Sequence, residues 1–171
     1  MKHTISVLVE NKFGVLARIS GLFSARGFNI SSLAVGETED PTVSRMTIVV
    51  EGDERTLEQI KKQLNKLIDV IKVVDFKEGE FIDRELILVK VAVTPKTRKE
   101  ILEAIGSSRA IIENAGAKSI SVEATGDQTK IKALLELLRP FGILEVVRTG
   151  RVAMGTEEKP LVIEGKPEVN E

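Results

Sequence analysis

The stretch TISVLVENKFGVLARISGLFSARGFNISSLAV, residues 4–35, contains the change of period that decides the fold. Ile5, Val7 and Val9 alternate with Thr4 and Ser6, the period-2 pattern of a strand with one apolar face. Asn11-Lys12-Phe13-Gly14 is a turn. From Val15 the period lengthens: Leu16, Ile19 and Phe23 fall at helical spacing, with Leu22 alongside, and Gly27 follows as a left-handed C-cap. Phe28 to Val35 then reads as a second strand.

Working outward, Gly36 to Pro41 is a polar hairpin loop and Val43 to Glu51 a third strand. Asp53 is placed to cap a second helix carrying Leu57, Ile60, Leu64 and Leu67, and Val70 to Phe76 closes the unit as a strand. The order βαββαβ is a ferredoxin-like unit. It then repeats: a strand at Glu85–Val93, a helix opened by Thr94-Pro95 and carrying Ile101, Leu102 and Ile105, short strands at 110–113 and 119–125, a helix with Ile131, Leu134, Leu135 and Leu138 that Pro140 stops, and a strand at 143–148. Gly52-Asp53 and Gly126-Asp127 stand at equivalent helix starts. The predicted class is therefore α+β, two tandem ferredoxin-like βαββαβ domains. The expected boundaries are 1–76 for the first domain, 77–83 for a charged linker, 84–155 for the second and 156–171 for a flexible, polar, proline-bearing tail. Leu86 to Val93 is apolar on both faces apart from Lys90. Two helices cover only one face of a small sheet, so an oligomer is expected.

Composition narrows the function. With 171 residues, 42% hydrophobic and 30% charged, the chain is globular, and a formal net charge of −1 supplies no basic field for nucleic acid or anionic lipid. No apolar run approaches the roughly 18 residues that span a bilayer, and the first ten residues lack the pattern of a secretory signal. The absence of cysteine removes disulfides, thiolate metal sites and thiol nucleophiles; a cytoplasmic location is expected. The single histidine, His3, begins the first strand. Ser31-Ser32 and Ser107-Ser108 have no histidine to activate them. Glu37, Glu39 and Asp40 form a loop of like charges with no second ligand cluster, so neither a catalytic residue nor a resident metal is expected. The central strands lack the aromatic platforms of an RNA-binding βαββαβ domain.

The residues able to hold a ligand are Asn11, Gly14, Val15 and Leu16, followed by Asn29 and Ile30. Gly14 lets backbone approach closely. The amides at the helix start are a seat for a carboxylate, the asparagines are uncharged partners for a zwitterion, and Val15, Leu16, Phe28, Ile30 and Leu33 offer apolar lining. Spacing alone also fits a turn glycine, a cap glycine and loop asparagines with no ligand.

At Asn11–Leu16 the sequence resembles the first loop of the ACT domain family, small amino-acid sensors. GLFSARGFNISSLAVGETEDPTVSRMTIVVEGDE followed by LEQIKKQLNKLIDVIKV, and then the region from RELILVKV to about Met154, resemble both halves of the regulatory small subunits of acetolactate synthase. The resemblance implies a non-catalytic subunit with no cofactor of its own. Its partner would be a catalytic large subunit carrying thiamine diphosphate, Mg and FAD. It would activate that partner and mediate feedback inhibition by a branched-chain amino acid, valine first. It further implies an effector bound between paired ACT domains of a homodimer, with Asn11, Gly14, Val15 and Leu16 from one protomer and Asn29 and Ile30 from the other. The second domain has Val93-Thr94-Pro95-Lys96 where that loop would be, so it is not expected to bind effector in this way. A free-standing amino-acid-sensing module acting on another partner is the alternative.

Overall fold

The computed structural model describes residues 1–157 and Leu161. Two compact units are present among the described residues: Met1–Ile82 together with the described chain that follows Gly150, and Asp83–Gly150. In the first, β1 (Lys2–Glu10), α1 (Val15–Ala25), β2 (Ile30–Glu37), β3 (Val43–Glu51), α2 (Glu54–Leu64) and β4 (Val70–Phe76) form an antiparallel sheet of order β2-β3-β1-β4 with two helices on one face. The predicted alternation sets the register. Ile5 pairs with Ile48 and Val7 with Met46, so one face of β1 and β3 is apolar throughout. Ile19 and Phe23 of α1 and Leu57, Ile60 and Leu64 of α2 bury themselves on that face. Each such side chain contributes roughly 1.5–3 kcal/mol relative to exposure.

The second unit repeats the order with β5 (Phe81–Ala92), α3 (Arg98–Ser107), β6 (Ile111–Ala115), β7 (Ser119–Gly126), α4 (Gln128–Leu138) and β8 (Ile143–Arg148), sheet order β6-β7-β5-β8. Its core joins Ile87, Val89 and Val91 of β5 to Ile120 and Val122 of β7, Ile101 and Ile105 of α3, and Ile131, Leu134 and Leu138 of α4. Asp53 and Asp127 cap α2 and α4, accepting from the amides of Thr56 and Lys130 at 2.8 Å. The expected tandem βαββαβ fold is thus the observed one. One helix start differs. Thr94 and Thr97 exchange side-chain and backbone hydrogen bonds, forming a turn of their own, and α3 begins only at Arg98.

The boundaries differ from expectation at two places. Gly79 turns with φ 86° and Phe81 stacks on Phe76 (centroids 5.2 Å apart), so β5 starts inside the stretch expected to be a linker. After Gly150 the chain returns to the first unit, ending in a short strand, β9 (Val152–Gly155), that pairs with β5. The Arg151 amide donates to Ser32 Oγ at 2.9 Å, its Nη1 to Thr4 Oγ1 at 2.9 Å, and the Ala153 amide to Thr47 Oγ1 at 3.3 Å. Thr4 and Ser6, which the alternation assigns to an outer face, and Thr47, the cross-strand partner of Ser6, are in consequence 4%, 0% and 4% exposed. Ser6 Oγ accepts from Arg45 Nε at 2.9 Å. β1 is buried on both faces. Of the expected tail, Thr156 is tied to the Glu80 carbonyl by its amide and hydroxyl, and residues 158–160 and 162–171 lie outside the described part.

Thr47→Val keeps shape and strand preference but strands the buried Ala153 amide. The expected loss is about 1–3 kcal/mol, measurable by urea denaturation, together with faster hydrogen exchange at Ala153. Unchanged exchange there would refute the role given to Thr47.

Candidate functional site

The turn between β1 and α1 is built by backbone bonds. The Lys12 amide donates to the Glu10 carbonyl at 3.0 Å and the Arg18 amide to the Gly14 carbonyl at 3.0 Å. Gly14 sits at φ 81°, ψ −4°, where a side chain costs roughly 1–2 kcal/mol. Because glycine has no side chain, α1 starts without the side-chain cap that Asp53 and Asp127 give α2 and α4. The Val15 amide turns back to the Lys12 carbonyl at 3.4 Å, the cap position gives the next amides no side-chain acceptor, and the helix dipole favours a negative group there.

Arg18, one turn into α1, adds to this. Its Nε and Nη2 bind Asp69 Oδ2 at 2.8 and 2.7 Å, and the pair holds the guanidinium so that Nη1 lies 3.5 Å from where a Cβ on Gly14 would stand. Sequence reasoning missed Arg18, because nothing in its spacing shows that Asp69, 51 residues away, will turn it toward the glycine. Lys12 is not part of this positive end. It pairs with Glu10 at 2.6 Å, and that hydrogen bond first, then the carboxylate's charge, raises its ammonium above the ordinary lysine pKa.

Asn11 has a narrower part than its formula suggests. Both hydrogens of Nδ2 are engaged, with Glu37 Oε1 at 3.0 Å and the Pro41 carbonyl at 2.9 Å. What remains is Oδ1, an acceptor suited to an ammonium. Glu37 and Asp40 serve this loop: Asp40 Oδ1 accepts from the Thr42 amide and hydroxyl. Val15 is in the core, so its side chain faces away from solvent, whereas Leu16 is 46% exposed beside the turn. Phe13 projects fully into solvent.

The other residues are set by the end of α1. The Gly27 amide (φ 67°) bonds to the Ser24 carbonyl and the Phe28 amide to the Phe23 carbonyl, the two bonds of a Schellman cap, and Phe28 packs edge-on against Phe23. The chain is thereby aimed into β2 with Asn29 exposed and Ile30 half-buried against the core.

The structure does not bring these two groups together within one chain. Ile30 is level with Val50 and through it with His3, whereas Asn11 follows Glu10 at the far end of β1. Seven residue steps of strand separate His3 from Glu10, about 23 Å. An extended residue spans only about 3.3–3.6 Å, so no single amino acid reaches both groups of one protomer.

The remaining candidates are occupied structurally. His3 Nε2 meets the Gly52 carbonyl, Ser107 and Ser108 bond the Ala104 carbonyl, and Ser31 donates to Glu51. Among the described residues, no group of three or more His, Cys, Asp or Glu is placed to hold a metal ion, and no helix is long and apolar enough to cross a membrane.

Paired ferredoxin-like repeats, with an uncapped glycine turn leading into the first helix, define a tandem ACT-type regulatory protein. Residues 5–72 match the AHAS small subunit-like ACT domain and residues 84–157 match the family described as the small subunit of acetolactate synthase. The chain is 54% identical to the probable acetolactate synthase small subunit of Archaeoglobus fulgidus (90% of this chain, 96% of that one) and 54% identical to the acetolactate synthase small subunit of Mycobacterium leprae (89% and 90%). The crystal structure of the small subunit from Thermotoga maritima superposes with a TM-score of 0.84 at 38% identity, covering 93% of this chain and 99% of that one. The chain belongs to the acetolactate synthase small-subunit family, a family of regulatory rather than catalytic subunits.

Gly14→Ala puts a Cβ into a left-handed conformation, in ordinary contact with the Arg18 guanidinium and without a clash. A loss of about 1–2 kcal/mol is expected from backbone strain alone, with the thermal midpoint as the measure. No loss would mean that the turn relaxes and that the glycine is not conformationally required.

Proposed function

We propose that the chain is the regulatory subunit of a cytoplasmic acetolactate synthase, that it activates the thiamine-diphosphate-dependent large subunit, and that it makes that subunit sensitive to a branched-chain amino acid, valine first. The observation that carries the effector site is the separation of its halves. The carboxylate seat (the amides of Gly14 and Leu16, with that of Val15 turned to the Lys12 carbonyl and Arg18 beside them) and the ammonium acceptor Asn11 Oδ1 lie at one end of β1, and Asn29 and Ile30 at the other. A two-fold pairing of ACT domains puts opposite ends side by side, so a homodimer can complete what one chain cannot. Leu16 and Ile30 then supply the lining for a short aliphatic side chain.

Regulation follows from linkage. An effector held by two protomers stabilises their paired arrangement, and by reciprocity pairing raises effector affinity. A change in that arrangement is what the large subunit would sense. The names of the relatives support this reading, since a small subunit of acetolactate synthase implies a large one.

The decisive experiment is a pull-down of the cognate large subunit by this chain, with pyruvate condensation measured with and without valine. Capture, activation and inhibition are expected together. Capture of no such partner, with valine still bound, would favour a free-standing sensor acting elsewhere. Within the complex, Gly14→Asp places a carboxylate in the anion seat and should weaken valine binding at least tenfold in calorimetry while the fold persists. Asn29→His should do the same from the other protomer. In mixed dimers of the two variants half of the sites regain both native halves, so partial recovery of valine inhibition is expected. Absence of recovery would argue against a shared site.

A further inference from the structure

The two sheets share a topology but not the state of the face opposite their helices. In the first unit that face is largely polar, with Thr4, Ser6 and Thr47, yet it is buried, in part by Arg151–Gly155. In the second unit the corresponding face is apolar at its centre and open. Leu88 of β5 and Val147 of β8 are direct cross-strand partners, 44% and 53% exposed, and Ile111 of β6 is 57% exposed. Leu88 and Val147 line one depression with Glu113, Glu123, Glu145, Lys90 and Ser121.

Charge discriminates among occupants. Lys90 is committed to Glu145 across the strands at 2.6 Å, and that hydrogen bond holds the Glu145 carboxyl below the ordinary carboxylate pKa. Three carboxylates against one ammonium leave the depression with two negative charges, on an apolar floor. A second copy docking on the same face about a two-fold axis would bring acidic rims together, which is destabilising. A partner presenting apolar side chains flanked by Lys or Arg would bury Leu88 and Val147 and neutralise Glu113 and Glu123.

We infer that this face of the second sheet, around Leu88, Val147, Glu113 and Glu123, is the surface on which the catalytic subunit docks through an apolar segment carrying basic residues. The inference rests on the proposed regulatory role. It divides the labour between the repeats: the first sheet meets effector at its ends, and the second offers its open face to the enzyme.

The test uses the full chain and the purified cognate large subunit. Two variants are compared with wild type: Glu113→Lys with Glu123→Lys, and Leu88→Asn alone. Association is read by titration, sedimentation gives the state of the free small subunit, and valine binding is measured separately. Both variants are expected to bind the large subunit at least tenfold more weakly, with wild-type sedimentation and valine affinity. Raised ionic strength should weaken the wild type and have little further effect on the charge-reversed variant. Wild-type affinity in both variants overturns the surface assignment and leaves the regulatory role standing. A variant that sediments as a smaller species shows the face to be a copy-to-copy contact and also overturns it. A wild-type chain that fails to bind the large subunit overturns the regulatory role and this inference with it.

Discussion

Strand β1 is the element on which the rest of the first unit is registered. It lies between β3 and β4, its Ile5, Val7 and Val9 receive both helices, and its Thr4 receives the side chain of Arg151. A central strand closed on both faces cannot slip by one residue. A slip would exchange Ile5 and Val7 for Thr4 and Ser6, put methyl groups where hydrogen bonds to Arg45 and Arg151 are made, and bury hydroxyls among the helices. The same strand fixes the distance between its ends. That distance, about 23 Å, separates the turn at Gly14 from Asn29. The register of the sheet and the separation of its two ends thus depend on one segment of nine residues.

Local chemistry was readable wherever the cause lay within a few residues. Gly27 and Phe28 form a cap because Phe23 is five residues earlier, and Asp53 and Asp127 cap helices whose amides are three residues on. Periodicity placed the cores for the same reason. What escaped depends on partners far along the chain. β9 has only four residues, VAMG, too few for a period, and the bond from Ala153 to Thr47 spans 106 positions. Arg18 looks like any exposed arginine on a helix until Asp69 turns it. Asn11 was legible as a polar loop residue, but only the fold shows that Glu37 and Pro41 take its two hydrogens and leave an acceptor.

The contrast between the repeats has a physical origin in their first loops. After β1 the chain has a glycine in the left-handed region and a helix with no side-chain cap, a state that costs helix stability unless an anion satisfies the first turn. After β5 it has Thr94 and Thr97, which satisfy each other. Neither α1 nor α3 has a side-chain cap, so what separates the two loops is the left-handed Gly14 with Arg18 beside it in the first, against a closed pair of threonines in the second. Duplication of a βαββαβ unit supplies the fold twice, and a change of a few loop residues is enough to give the two copies different first turns.

Arg151–Gly155 links these properties. Ser32, which accepts from the Arg151 amide, lies two residues after Ile30, and between them the pairing of β2 with β3 shifts register. A bulge is where a strand adjusts most cheaply. A ligand that reorders Asn29 and Ile30 would act first on that bulge, and through Ser32 on the segment that closes the polar face of the sheet. One bulge and one serine thus tie the start of β2 to the segment that closes the polar face of the first sheet.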